Sequence, residues 1–266
     1  MKISIAKFWK KFYFRLPVYV IIAALALYTT GVLAMDKLLF PGAADQTARP
    51  PKSGNLTLKS GEAALDAVFH LPAPGKPVIL YSHGNGETLD SIKPLLNQFI
   101  CMGYGVMAYD YAGYGNSTGY PGEKQAYMDI EAAYTYLVEK HKFTPKDIII
   151  MGYSVGSGPS CYLAEKINAK ALIIVSGFAS AAQVLLPFSV PFDQFPNAER
   201  LKNCNIPLLI IHGRNDKIVP LRNGKKLFSS SVAPIRTMHY SDAGHNDIFY
   251  KTPGIFHIIR KFIDEQ

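Results

Sequence analysis

Ser154 lies between two glycines in "GYSVG", residues 152–156, directly after the apolar run "DIIIM". This G-x-S-x-G spacing serves backbone geometry. A serine on a sharp strand-to-helix turn takes a strained conformation, and Gly152 and Gly156 remove Cβ atoms that would clash there. Such a turn lifts the Ser154 hydroxyl into a cleft and directs the Val155 amide, at a helix start, toward the place where an oxyanion would form. The chemistry implied is nucleophilic attack on a carbonyl. A serine hydroxyl attacks poorly at neutral pH unless a histidine takes its proton and a carboxylate orients that histidine.

Downstream of Ser154 stand His212, His239, His245 and His257. His245, in "SDAGHND", occupies a glycine-flanked loop where a positioned but mobile imidazole is expected. His239 lies in a strand-like run, His212 precedes a glycine at a strand end, and His257 falls in the final helical stretch. For the carboxylate, Asp216 in "HGRNDKIVP" directly follows a buried run, which also gives the chain order serine, acid, histidine. Asp242 and Asp247 flank His245, but neighbours along a loop seldom face one another, so they read as solvated carboxylates. Asp193 and Glu199 belong to a separate segment.

The second oxyanion donor is expected from "SHGNGE", residues 82–87, where Gly84 and Gly86 let the backbone approach a carbonyl. The Asn85 amide is the candidate donor, with His83 bracing the loop. "YAGYGNSTG" lacks G-x-G-x-x-G and no Lys-Ser/Thr follows it, so a phosphate cradle does not fit. Cys101, Cys161 and Cys204 have no C-x-x-C spacing and read as small buried apolar residues, without a metal cluster. No metal or organic cofactor is expected.

These residues need a scaffold that brings strand ends together. Apolar runs recur at 78–82, 105–110, 148–154, 171–177 and 207–213, each suited to a strand buried on both faces. Residues 125–141 carry Ala126, Ile130, Ala133, Tyr134, Leu137 and Val138 at helical spacing. Strand alternating with helix predicts an α/β fold, a mostly parallel sheet covered by helices on both sides. In such sheets ligands sit beyond the carboxyl ends of the strands, where "HGNGE", "GYSVG" and "RNDKIVP" fall.

Residues 16–35, "LPVYVIIAALALYTTGVLAM", carry no charge and match the length of a membrane-crossing helix. Lys2, Lys7, Lys10, Lys11 and Arg15 precede them and no acid occurs before Asp36. The positive-inside rule then puts the N-terminus in the cytoplasm and the body on the exported side. A signal peptide cleaved after Ala34 is the competing reading, which would give a secreted form. That basic cluster supplies most of the net charge of +8, so the body lacks the basic, aromatic-interleaved stripe of a nucleic-acid binder. The expected organisation is a basic terminus at 1–15, a membrane helix at 16–35, a linker at 36–54 and a single domain at 55–266.

From about Asn55 onward the chain resembles an α/β-hydrolase: "YSHGNGE", "DYAGYGNSTG", "GYSVG", "IHGRNDKIVP" and "GHND" match that superfamily's motifs in order. The branch it is similar to is the acyl-hydrolase and serine-aminopeptidase-like one. Within it the likeness is to membrane-anchored α/β-hydrolase-domain proteins related to palmitoyl-protein thioesterases. The resemblance implies a triad of Ser154, Asp216 and His245, with oxyanion donors at Asn85 and Val155. It also implies an α/β-hydrolase fold with a minimal cap. Phe178, with Leu185, Leu186 and Phe188 of the short segment before the 207–213 run, is the expected apolar wall for an acyl chain, or a surface leaning on the bilayer.

The expected function is that of a serine hydrolase cleaving an ester or thioester through an acyl-enzyme, with a lipid-like acyl substrate and the membrane as partners. An aminopeptidase-like enzyme would want an acidic cluster for the substrate amine, and none is evident. Intact residues at all three triad positions argue against a silent membrane scaffold.

Overall fold

The computed structural model describes residues 5–41, 52–188 and 190–266, with side chains from Arg15 onward in the first helix. Lys2, the side chains of Lys7, Lys10 and Lys11, and most of the expected linker lie outside the described residues.

The apolar runs become strands of one sheet because each is long enough to be covered on both faces. The strands are β1 (Leu56–Ser60), β2 (Ala63–His70), β3 (Val78–Ser82), β4 (Gly105–Tyr109), β5 (Ile148–Tyr153), β6 (Ala171–Val175), β7 (Leu208–Gly213) and β8 (Arg236–Ser241). Their order across the sheet is β1-β2-β4-β3-β5-β6-β7-β8. From β4 to β8 all neighbours run parallel, while β1–β2 and β2–β4 are antiparallel.

Alternation along the central strands divides the core in two. Leu80, Ile150, Ile174 and Ile210 face α3 (Glu123–Thr135), α4 (Ser157–Lys166) and α6 (Arg222–Ser230). Tyr81, Met151, Val175 and Ile211 face α2 (Leu89–Cys101) and α8 (Ile255–Asp264). Two short helices, α5 (Asn197–Arg200) and α7 (Ile248–Lys251), complete the coverage.

Three elements differ from the sequence expectation. β2 carries the charged Asp66 at a buried position, which hid it among the apolar runs. Its carboxylate is satisfied by the Ser53 and Gly54 amides at 2.7 and 3.0 Å. The helix expected at 125–141 ends as α at Thr135 and widens into a π-turn at Tyr136–Lys140. The first helix, α1 (Ile5–Leu39), runs past the expected end of the apolar span at residue 35.

The apolar stretch of α1 is long enough to cross a membrane and none of it is buried. Its C-terminal end is different. Leu39 and Phe40 are buried in the core, Gln194 donates to Asp36 at 3.0 Å, and the Phe192 ring lies against Gly31. Residues 36–40, expected as the start of a linker, therefore form part of the body.

Candidate active site

The turn after β5 holds Ser154 at φ 53°, a left-handed conformation that costs an L-residue about 1–3 kcal/mol and persists only where surroundings enforce it. The enforcement is steric. A Cβ on Gly156 would sit 2.0 Å from the Ser82 carbonyl of β3, and one on Gly152 would sit 2.4 Å from the Gly156 carbonyl. Only glycines let the turn pack this closely, and the result presents Ser154 above the carboxyl edge of the sheet.

Asp216 follows β7 and His245 follows β8, adjacent strands whose ends converge. His245 Nε2 lies 2.9 Å from Ser154 Oγ and its Nδ1 lies 2.8 Å from Asp216 Oδ2. With Nδ1–H donating to the carboxylate, Nε2 is free to accept the serine proton. The other Asp216 oxygen accepts the Ile218 and Val219 amides at 3.0 and 2.7 Å, which fixes the carboxylate. The Tyr153 hydroxyl donates to the His245 carbonyl at 3.1 Å and so holds the histidine loop against β5. Burial pushes that phenol well above its ordinary range, so it stays a neutral donor.

His212 lies 3.6 Å from Asp216, yet its Nε2 donates to the Val219 carbonyl at 2.8 Å. Burial lowers its pKa, so a neutral imidazole stands beside the carboxylate. His239 pairs across β7–β8 opposite Ile211, remote in role from the serine. Asp242 is paired with Arg214 at 3.3 Å, and Asp247 with Lys251 at 2.8 Å, so both acids beside His245 are engaged elsewhere. Cys161 and Cys204 are buried, and burial raises both thiols, Cys204 to about 11, whereas Cys101, expected to be buried with them, is exposed at the last residue of α2.

A cavity of about 380 Å³ opens over Ser154 and His245 and is bordered by Gly84, Asn85, Gly86 and Ile218. Glu87 Oε2 accepts the Gly84 amide at 2.7 Å and the Glu87 amide donates to the Gly84 carbonyl at 3.2 Å, so both of these amides are engaged within the loop, and Asn85 and Gly86 lie between them at the cavity. The loop is held from beneath. Tyr111 donates to the His83 carbonyl at 2.8 Å and Tyr114 to the Asn85 carbonyl at 3.0 Å. Both rings pack edge-on against Phe40, so the end of α1 braces the layer under the loop. His83 is fully buried with its ring 3.4 Å from Asp110. Val155 is the middle residue of the turn Ser154–Gly156 that leads into α4, where the first amides have no helical partner.

The four expected wall residues do not border this cavity. Phe178 is 2% exposed and packs against Phe195 in the core. Leu185 and Phe188 are 70% and 59% exposed, and Leu186 and Phe188 border a separate groove with Arg222 and Lys226. The segment is pinned there because Arg222 donates to the Val184 carbonyl at 2.8 Å and Asp193 accepts from Ser180 and the Ala182 amide. Sequence reasoning overlooked Ile218, Tyr153, Glu87 and Asn246 as cavity-lining residues. Each adjoins a motif residue in sequence, and that adjacency was the available signal.

Comparison with known proteins agrees with this architecture. A family model described as serine aminopeptidase, S33, matches residues 73–196. Alpha/beta hydrolase domain-containing protein 17B of Homo sapiens is 36% identical over 180 residues, covering 65% of this chain and 62% of the relative. Protein 17C of the same series from Xenopus tropicalis is 33% identical over 194 residues, covering 70% and 62%. The chain thus spans about 62% of the length of these curated relatives. Among solved structures, an esterase of Pyrococcus furiosus superposes with a TM-score of 0.68 at 16% identity, covering 82% of this chain and 99% of that one. Mouse alpha/beta hydrolase domain-containing protein 10 gives 0.58 at 18% identity, covering 77% and 98%. The parallel sheet with its antiparallel edge is an α/β-hydrolase fold, and the ordered motifs with these likenesses support membership of the α/β-hydrolase superfamily.

Proposed function

We propose that the protein is a serine hydrolase that cleaves a carboxylic ester or thioester through an acyl-enzyme. The observation that carries this is the unbroken hydrogen-bonded line from Ser154 Oγ through His245 to Asp216, with the serine held at positive φ. Ser154 attacks the carbonyl while His245 Nε2 takes its proton, and Asp216 stabilises the imidazolium. The Asn85 and Val155 amides take the oxyanion. His245 then protonates the leaving alcohol or thiol, and water activated by the same imidazole releases the acid.

The test uses the full chain in detergent with a fluorophosphonate probe. Ser154→Ala is expected to lose labelling and to lower ester turnover by on the order of 10³-fold or more, while Asp242→Asn labels like the parent. Full labelling of the alanine variant would overturn the assignment. The family description also raises an aminopeptidase reading, and Glu87 supplies a carboxylate at the cavity. That carboxylate already accepts the Gly84 amide, so ester and thioester turnover is expected to exceed aminoacyl-amide turnover when the same preparation meets all three.

We further propose that α1 anchors the protein, with its N-terminus cytoplasmic and the hydrolase domain on the exported side. The support is the charge asymmetry around an unburied apolar helix. Protease added to intact cells is expected to digest the domain, and protection there would reverse the orientation.

A further inference from the structure

Beside the cavity over Ser154 lies a second one of about 300 Å³, in the size range of small-molecule sites. Its wall is more apolar than polar: Ile92 and Leu95 from α2, Phe249 from α7 and Phe256 from α8 supply the apolar part, and Ser91 and Gln98 of α2 add polar groups. Ile92 is buried in the core beneath, whereas Leu95, Phe249 and Phe256 pack on that core with one side only. Their other sides form the concavity. Glu87, Tyr153 and Asn246 border both cavities, so the two adjoin at the residue immediately before the nucleophile.

We propose that this second cavity is the acyl-chain site, and that the substrate is an ester or thioester of an unbranched, uncharged acyl chain several carbons long. The inference rests on the serine-hydrolase reading and adds to it where the acyl group goes. A carbonyl at Ser154 has two directions for its substituents. One leads past Ile218, which is half exposed, toward solvent, and suits a leaving group carried on a larger molecule. The other is toward the wall of Glu87, Tyr153 and Asn246 that the two cavities share, with the apolar groups of α2, α7 and α8 on its far side, and suits hydrocarbon.

The Glu87 carboxylate at the junction sets a further requirement. The Gly84 amide holds it in place, so the carboxyl group stands at the boundary between the cavities. A chain with its own terminal carboxylate would have to pass that group and give up its hydration in the apolar space, so dicarboxylic half-esters are rejected. Burial of a neutral chain favours reaction by roughly three- to fourfold for each methylene taken from water. The chain-length profile should therefore climb until the cavity is filled and then level off.

The experiment measures kcat/KM of the full chain, at one fixed detergent concentration, for p-nitrophenyl acetate, butyrate, octanoate and decanoate. The parent is expected to prefer octanoate over acetate by at least tenfold. Leu95→Trp fills the cavity and is expected to reduce the octanoate-to-acetate ratio at least tenfold. Phe256→Ala enlarges the cavity and is expected to move the optimum to a longer chain. Leu185→Trp, at an exposed position that lines neither cavity, is expected to leave the ratio where it is. Labelling by diisopropyl fluorophosphate reports that each variant keeps a folded, reactive site. A ratio that Leu95→Trp leaves unchanged, or that Leu185→Trp shifts instead, would overturn the assignment of the cavity. A labelled enzyme with a flat chain-length profile would overturn the acyl site alone. A parent that neither labels nor hydrolyses any ester would overturn the serine-hydrolase reading as well.

Discussion

Ser154 owes its geometry to neighbours that carry no reactive group. Gly156→Ala would put a methyl 2.0 Å from the Ser82 carbonyl, backbone against backbone, and something must move. Fluorophosphonate labelling is expected to fall at least tenfold in this variant although the serine, histidine and aspartate all remain, because the turn that exposes Oγ cannot close. Tyr114→Phe tests the loop opposite. Losing the hydroxyl that holds the Asn85 carbonyl at 3.0 Å is expected to lower kcat roughly tenfold with KM little changed, since an oxyanion donor acts in the transition state. Ser154, Asp216 and His245 were legible in the sequence because each follows a strand-like run and is marked by a nearby glycine. Tyr114 was not legible. Its contact with Asn85 joins loops 29 residues apart, and no local pattern announces such a pair.

At the scale of elements, α3 is tied to β1 and to the loop after β4 through the buried Asp129. Its carboxylate accepts from Ser60 Oγ at 2.6 Å, Gln125 at 2.8 Å and the Ala112 amide at 2.9 Å. Burial nevertheless dominates and raises its pKa from 3.8 to about 6. A carboxyl whose folded pKa is raised stabilises the fold most when protonated. That contribution is complete below about pH 4 and is lost as pH climbs through 6. Asp129→Asn removes the titration, so its stability relative to the parent should improve by roughly 2–3 kcal/mol between pH 4 and pH 7. Denaturant titrations of the full chain at both pH values check this. The central strands were readable as apolar runs because both faces are covered. β2 was not, because what satisfies Asp66 comes from Ser53 and Gly54, outside its own periodicity. The segment at 185–188 lies away from the cavity over Ser154 for a similar reason: its position depends on Arg222 and Asp193, which its own apolar character does not reveal.

At the scale of the molecule, the end of α1 belongs to the body. Leu39 and Phe40 fill the core beside Tyr111, Tyr114 and Phe195. Phe40→Ala is expected to destabilise the protein by about 3–5 kcal/mol, the range for emptying a buried phenylalanine site. A truncated chain beginning at Met35 should correspondingly melt higher than one beginning at Lys52, even though both lack the apolar span. Differential scanning fluorimetry of the two would show it. With α1 set in a bilayer, this docking turns the anchor from a leash into a gauge. The cleft is carried at one height and one tilt, and it reaches only bonds presented at that height. A flexible spacer inserted before Asp36 would give it slack, widening the range of substrates within reach while diluting the cleft's encounters with those now held at the set distance.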